Sequence, residues 1–306
     1  MYRLKRILVA LDLTVMDDAL IKYVIRISNI LDIEKVYFIH VEKQLELPDG
    51  MTLKSSKSGF PVDETIEQLI EENIERNGKA NLKAPYKIEI VEGSPSQQVL
   101  HWAKIKKADL VAVGRKSGLK GGGALSHKVA RLAPCSVVYV PEVLPEYYKN
   151  FVVPVNFTET SKMALEYAIE ICSNAKEGSI TCMHVYEVPA GYHTTGKSYE
   201  EFAKIMKRNA QRKYKQWIAK FDLKGVDVRE DYVLDKEDNI ARAIYRFTVR
   251  EQISNIVVGS KGRTNAAAFI LGSVAEKLVS LNAHIPMFIA KEKNHNMDLF
   301  QAIMEL

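Results

Sequence analysis

Cysteine is nearly missing from this chain: 306 residues carry three, Cys135, Cys172 and Cys182, and no two of them form a C-x-x-C pair. That excludes a disulfide framework and a cysteine zinc knuckle, and it predicts reduced thiols packed in a core. Long apolar runs are missing too. The N-terminal stretch MYRLKRILVALDL places basic residues before apolar ones, but the run stops at Asp12, well short of a signal sequence or a membrane span. A cytoplasmic protein without membrane attachment is the expectation. Charge of one sign is concentrated nowhere. The formal net charge is +5, yet Lys and Arg are interleaved with Glu and form no basic stripe, which argues against nucleic acid as a partner. Catalytic signatures are equally sparse. There is no G-x-S-x-G elbow, no H-E-x-x-H and no pair of carboxylates spaced for acid–base work, so dedicated catalysis is not expected.

What the chain does contain is a repeat, which has to be read before any motif. The run Ile7 to Thr14 is answered by Val152 to Thr158, and Asp12 corresponds to Asn156 at a shift of 144 residues. Val36 to Val41 is answered by Ile180 to Val185, with His40 and His184 again 144 apart. Ala108 to Gly114 corresponds to Ile253 to Gly259 at 145, and Cys135 to Val140 corresponds to Ile285 to Ala290 at 150. A steady offset followed by a jump means duplication with a length difference between the last two strands of each copy. The equivalent placement of the two histidines suits packing and hydrogen bonding within the scaffold.

Within each copy, near-continuous apolar runs read as strands buried on both faces of a parallel sheet. Helical patterns alternate with them. Asp17 to Leu31 and Ser161 to Ser173 carry apolar residues at helical spacing. Ser94-Pro95 and Asp238 supply the caps of two further helices. The order β-α-β-α-β-α-β-α-β predicts an α/β fold: two tandem, doubly wound, five-stranded parallel-sheet domains, about 1–142 and 148–291, with a helical tail over 292–306. Leu299, Phe300, Ile303, Met304 and Leu306 give that tail its apolar spacing, fit either for the chain's own surface or for a partner. Sheets of this kind bind ligands beyond the carboxyl ends of their strands, where the strand order reverses.

The most specific local feature is a glycine pattern. After the fourth strand of the second copy come Gly259-Ser260-Lys261-Gly262, then nine residues, then Gly272-Ser273 opening a helix over Val274 to Leu281. Glycines let the backbone approach a ligand closely, and a helix N-terminus offers free amide hydrogens to an anion. Taken alone, the same residues also describe an ordinary turn with Ser273 as a cap. Lys261 and Arg263 lie on this loop, either solvated or within reach of phosphates. The corresponding loop of the first copy, Gly114, Gly118 and Gly121-Gly122-Gly123-Ala124, is shorter by five residues and lacks the hydroxyl.

The spacing G-x2-G-x9-G-S, following a buried strand and opening a helix, resembles the nucleotide signature of the ATP-binding branch of the universal stress protein family. The resemblance covers nearly all of residues 3–291, as two copies. It implies a Rossmann-like fold of the adenine nucleotide alpha hydrolase type and one ATP site per chain, in the second copy, with Mg2+ accompanying the nucleotide. Carried onto this sequence, it implies Pro154, Asn156 and Val185 near adenine, and Gly259, Gly262, Gly272, Ser273 and Val274 around ribose and phosphates. Asn156 departs from the family, which usually has Asp there; its amide oxygen can still accept a hydrogen bond from the adenine amine. The resemblance further implies pairing of the fifth strands, Val137 to Val140 and Met287 to Ala290, between the two domains, a homodimer as a further assembly, and a protein partner the sequence does not name. The expected role is that of a non-catalytic, ATP-binding regulator of stress response. A slow ATPase or nucleotide-transferring enzyme using the same pocket, or an adaptor that no longer binds nucleotide, are the rivals.

One competing motif is present. Gly191 to Ser198 matches G-x4-G-K-S between a strand and a helix, the pattern of a P-loop, with Lys197 and Ser198 in the phosphate and magnesium roles. Bulky Tyr192 and His193 sit where such a loop prefers small residues, and no Walker-B-like run accompanies it. Lys197 could otherwise touch a nucleotide held elsewhere on the same edge.

Overall fold

A computed structural model describes residues 4–45, 62–116, 124–146, 149–261, 271–282 and 284–293. Gly262, Arg263, the first-copy glycines 118–123 and the apolar tail from 294 onward lie outside the described residues. The chain divides into two compact units. One is built from the first copy and takes in residues 291–293; the other is Pro145–Ala290.

In the first unit the elements run β1 (Arg6–Leu11), α1 (Met16–Ile30), β2 (Lys35–Glu42), α2 (Val62–Arg76), β3 (Tyr86–Glu92), α3 (Pro95–Ile105), β4 (Leu110–Arg115), α4 (Ala124–Leu132) and β5 (Ser136–Pro141). The strands are parallel in the order β3-β2-β1-β4-β5. The second unit repeats the plan with β6 (Asn150–Pro154), α5 (Glu159–Ala175), β7 (Ser179–Tyr186), α6 (Tyr199–Ile218), β8 (Asp227–Leu234), α7 (Ile240–Arg250), β9 (Asn255–Gly259), α8 (Ser273–Leu281) and β10 (Met287–Ala290). Its order is β8-β7-β6-β9-β10, again parallel. The expected α/β, doubly wound, five-stranded fold is therefore present twice. In each copy the order reverses between the first strand and the fourth, which opens a crevice at their carboxyl ends.

Burial explains why these segments are strands. Ile7, Leu8 and Val9 on β1, Leu110 to Val113 on β4 and Val152 and Val153 on β6 are all at most 1% exposed, because helices cover both faces. The edge strands β3 and β8 are different. Their sequences, YKIEIVE and DVREDYVL, mix polar with apolar residues, and no residue of either strand is fully buried. Cys135, Cys172 and Cys182 are free and buried, and burial pushes each thiol up to about 12, as expected of inert core cysteines. Ser94 holds the N-cap position of α3 ahead of Pro95 as expected, but its side chain makes no capping hydrogen bond. At α7, however, the cap is Asn239, whose side chain accepts from the Arg242 amide at 3.2 Å; Asp238 stands just outside with φ 53°. Asn tolerates the cap geometry as well as Asp does, and here the register falls one residue later than the sequence reading placed it. Among the described residues, no helix is long and apolar enough to cross a membrane.

Candidate functional site

The crevice of the second unit is a cavity of about 500 Å³. Strands β6, β7 and β9 end at its floor, the N-terminal turns of α5, α7 and α8 point into it, and one face of α6 walls it. Seven of the residues expected at a ligand site, Pro154, Asn156, Val185, Gly259, Gly272, Ser273 and Val274, all line this one space. The eighth, Gly262, lies outside the described residues. The fold thus gathers positions spread over more than a hundred residues of sequence.

Local chemistry fixes each part of the floor. After Pro154 the chain leaves the sheet, and the Val155 carbonyl lies 2.7 Å from Nδ1 of buried His184 on the neighbouring strand. The same pairing recurs in the first unit between His40 and the Leu11 carbonyl at 3.1 Å, so both histidines hold adjoining strand ends together, as their equivalent placement predicted. Phe157 then takes a left-handed conformation, φ 66°, and stacks at a tilt on His184 with ring centres 4.9 Å apart. This turn aims the Asn156 side chain. Its Oδ1 accepts from the Thr158 amide at 3.2 Å and from the Thr158 hydroxyl at 2.6 Å. The oxygen expected to meet an adenine amine is engaged locally, and the amide nitrogen is the group left over.

The four helices around the cavity end differently. Helix α5 is capped by Thr158, α6 by a reciprocal Ser198–Glu201 capping box and α7 by Asn239. Helix α8 begins at Gly272 and, among the described residues, has no side-chain cap. Gly272 donates its own N–H to the Ser260 carbonyl at 2.7 Å, and the first helical bond runs from Glu276 N to the Gly272 carbonyl at 3.0 Å. Among the described residues, the amides of Ser273, Val274 and Ala275 are therefore the orphan donors of the first turn, and all three residues line the cavity. Orphan amides at the positive end of a helix dipole favour an anion. Lys261 lines the cavity as well and, among the described residues, has no carboxylate partner. Its backbone is tied to the Thr160 hydroxyl, which donates to the Lys261 carbonyl at 3.2 Å.

The model of the universal stress protein family matches residues 3–141 and again 147–291. The chain belongs to the universal stress protein family. Among similar proteins, two universal stress proteins of Methanocaldococcus jannaschii are 29% identical over 149 residues and 25% identical over 162, matching 83% and 97% of their own lengths but 47% and 48% of this chain, about the length of one copy. Among solved structures, a universal stress protein of Archaeoglobus fulgidus superposes with a TM-score of 0.59 at 17% identity, over 94% of this chain and 98% of that one. A functionally unknown protein of Pseudomonas aeruginosa PAO1 gives 0.68 at 13% identity, over 99% and 98%. These likenesses bear on the fold.

The two universal stress domains differ where their first strands end. In the first, Asp12 pairs with Lys116 at 2.6 Å, and burial is offset by this pair and by the Thr14 hydroxyl, which hold the Asp12 carboxyl below the usual range. Lys116 and Lys261 are equivalent positions. With Asn156 in place of Asp12, the second domain has no carboxylate there to neutralise Lys261. The glycine loop of the first domain lies outside the described residues from 117 to 123, so the expected shortening is not visible.

The P-loop-like segment does not form a phosphate nest. Ala190–Thr195 is a short 3-10 turn in which Thr194 and Thr195 hydroxyls donate to the Gly191 and Tyr192 carbonyls, and the Ser198 hydroxyl caps α6. Lys197 is not among the residues lining the cavity. The structure adds a wall that the sequence reading missed: Met206, Asn209, Ala210 and Lys213 of α6, with Ile240 and Ile244 of α7 opposite. Their spacing, i, i+3, i+4 and i+7, is the signal that could have found them.

Proposed function

We propose that the second domain binds a nucleoside triphosphate, ATP being the one the family resemblance implies, and that the chain is a non-catalytic regulator of stress response. In this reading the phosphates lie on the Ser273, Val274 and Ala275 amides, with Gly259, Gly262 and Lys261 alongside. Ribose and base extend toward Val185, Pro154 and Asn156. The observation that carries the proposal is the start of α8, which has no side-chain cap among the described residues and faces a cavity whose other helices are capped by their own side chains. Among the described residues, Glu187 is the one carboxylate lining the cavity, so a Mg2+ ion arriving with the nucleotide would keep mainly phosphate and water ligands. His184 has its Nδ1 committed to the Val155 carbonyl, which supports a binding role over hydrolysis. The regulator is further proposed to act in the cytoplasm, as a homodimer, by changing conformation or partner choice when nucleotide is bound.

Calorimetric titration with Mg-ATP tests this, after assay of the heat-denatured supernatant for nucleotide carried through purification. The expected outcome is one site per chain, abolished by Gly272→Asp. Asp is a good helix cap, so that variant should keep α8 folded while placing a negative charge where phosphate would sit. Absence of both binding and carried-over nucleotide would leave the adaptor reading.

A further inference from the structure

The base end of the cavity carries a polarity opposite to that of its counterpart in the first domain. Asp12 accepts the Thr14 hydroxyl on Oδ1 at 2.5 Å and keeps a second acceptor, Oδ2, which Lys116 occupies. Asn156 has a single oxygen, and it accepts twice from Thr158, at the backbone N–H and at the hydroxyl. A backbone N–H can only donate, so the oxygen is fixed toward Thr158 and the carboxamide cannot be turned over. What Asn156 presents to the cavity it lines is the NH2 group, a donor with no partner among the described residues. The backbone turn is the same in both domains, φ 56° at Leu13 and 66° at Phe157. The side chains start from the same place, and the difference between them is one of hydrogen-bond sense.

We propose that this site selects purine nucleotides with a carbonyl at C6, those of guanine and hypoxanthine, over adenine nucleotides. The inference rests on the nucleotide reading above, with the base beside Asn156. An adenine amine brought to Asn156 sets donor against donor and leaves both unpaired out of water, whereas O6 accepts from Nδ2 directly. Sites that hydrogen-bond a ligand group discriminate strongly against an analogue that lacks the complement. Lys213 on the α6 wall is likewise donor-only, and Asn209 can donate. Glu187 is a carboxylate acceptor on the wall, able to receive either a guanine N1–H or an adenine amine. Inosine triphosphate, which has O6 but no 2-amino group, separates a carbonyl contact from any contact made by that amine.

The test is calorimetric titration of the full chain with Mg-ATP, Mg-GTP and Mg-ITP, in the wild type and in Asn156→Asp. GTP and ITP are each expected to bind with a Kd roughly tenfold below that of ATP, the scale of one hydrogen bond made against one lost. Asn156→Asp keeps an oxygen for Thr158 and turns the other toward the cavity, so the ratio should swing back toward ATP by at least as much. ATP binding as tightly as GTP and ITP overturns the base preference while leaving the nucleotide reading intact, and so does a ratio that Asn156→Asp does not move. A preference for GTP in which ITP behaves like ATP overturns the carbonyl contact in favour of the 2-amino group. If none of the three binds, the nucleotide reading itself falls.

Discussion

Asp17 of the first domain is wholly buried, and its two oxygens accept the backbone amides of Asp12 and Leu13 at 3.0 and 2.9 Å. The second domain has Ser161 at the equivalent position. Burial pushes the Asp17 carboxyl up to about 6 from an ordinary value of 3.8, against the pull of the two amides. A raised value in the folded state means that the native protein holds this proton more tightly than the unfolded chain. The Asp17 contribution to stability is therefore greatest below pH 3.8, falls as pH rises toward 6, and is constant above that. A shift of this size corresponds to roughly 2–3 kcal/mol. Asp17→Ser removes the titration. Denaturant midpoints at pH 4, 5, 6 and 7 should show the variant gaining on the wild type as pH rises, whatever constant offset the lost hydrogen bonds impose; parallel curves would refute it. Asn156 belongs at this scale too. Its side-chain chemistry was readable, but which of its two ends faces the cavity depends on Thr158 two residues later and on the left-handed Phe157 between them.

At the scale of elements, Gly259 shows how closely the end of β9 meets the start of α5. A methyl group there would lie 2.7 Å from the Thr160 hydroxyl, 2.8 Å from the Thr160 carbonyl carbon and 2.9 Å from the Ser161 amide. Two of these atoms are backbone and cannot swing aside. Its equivalent, Gly114, is as crowded: a methyl group there would overlap Cγ of Met16, near the root of a side chain that is itself buried. Gly259→Ala should therefore cost about 1–3 kcal/mol or more and disturb the cavity floor, read as a lowered thermal midpoint; an unchanged midpoint would refute it. The central strands and most helices were legible because burial on both faces leaves unbroken apolar runs and helical spacing. The edge strands β3 and β8 followed only from the alternating order of elements, since their outer sides meet water and their sequences show it. The α6 wall is harder to read for another reason: the helix is rich in charged residues, and its cavity-lining stripe includes Asn209 and Lys213, which look like solvent-facing positions. Glycine spacing made the α8 side of the cavity readable, because a turn that brings backbone to a ligand has few other ways to be encoded.

For the whole molecule, two copies of one fold have diverged at matching positions, Asp12 and Asn156, Asp17 and Ser161, while keeping the scaffold contacts of His40 and His184. Residues 291–293, which follow β10, belong with the first unit. Lys291 is only 4% exposed there; its ammonium donates to the Arg131 and Ala133 carbonyls at the end of α4, at 3.2 and 3.1 Å, and its amide to the Ser136 hydroxyl at 3.1 Å. Lys293 reaches the Lys107 carbonyl at 2.7 Å and Asp109. A buried ammonium satisfied by the last carbonyls of a helix suits the negative end of its dipole. Lys291→Ala should lower the stability of the first unit by about 1–3 kcal/mol, read as earlier loss of amide-exchange protection in β4 and β5 than in β6 and β7. Equal loss in both would count against the assignment.

That clamp bears on how the protein is made. A ribosome releases the first unit's own strands more than a hundred residues before it releases Lys291, so the N-terminal half must wait, incompletely fastened, until the other half has been synthesised.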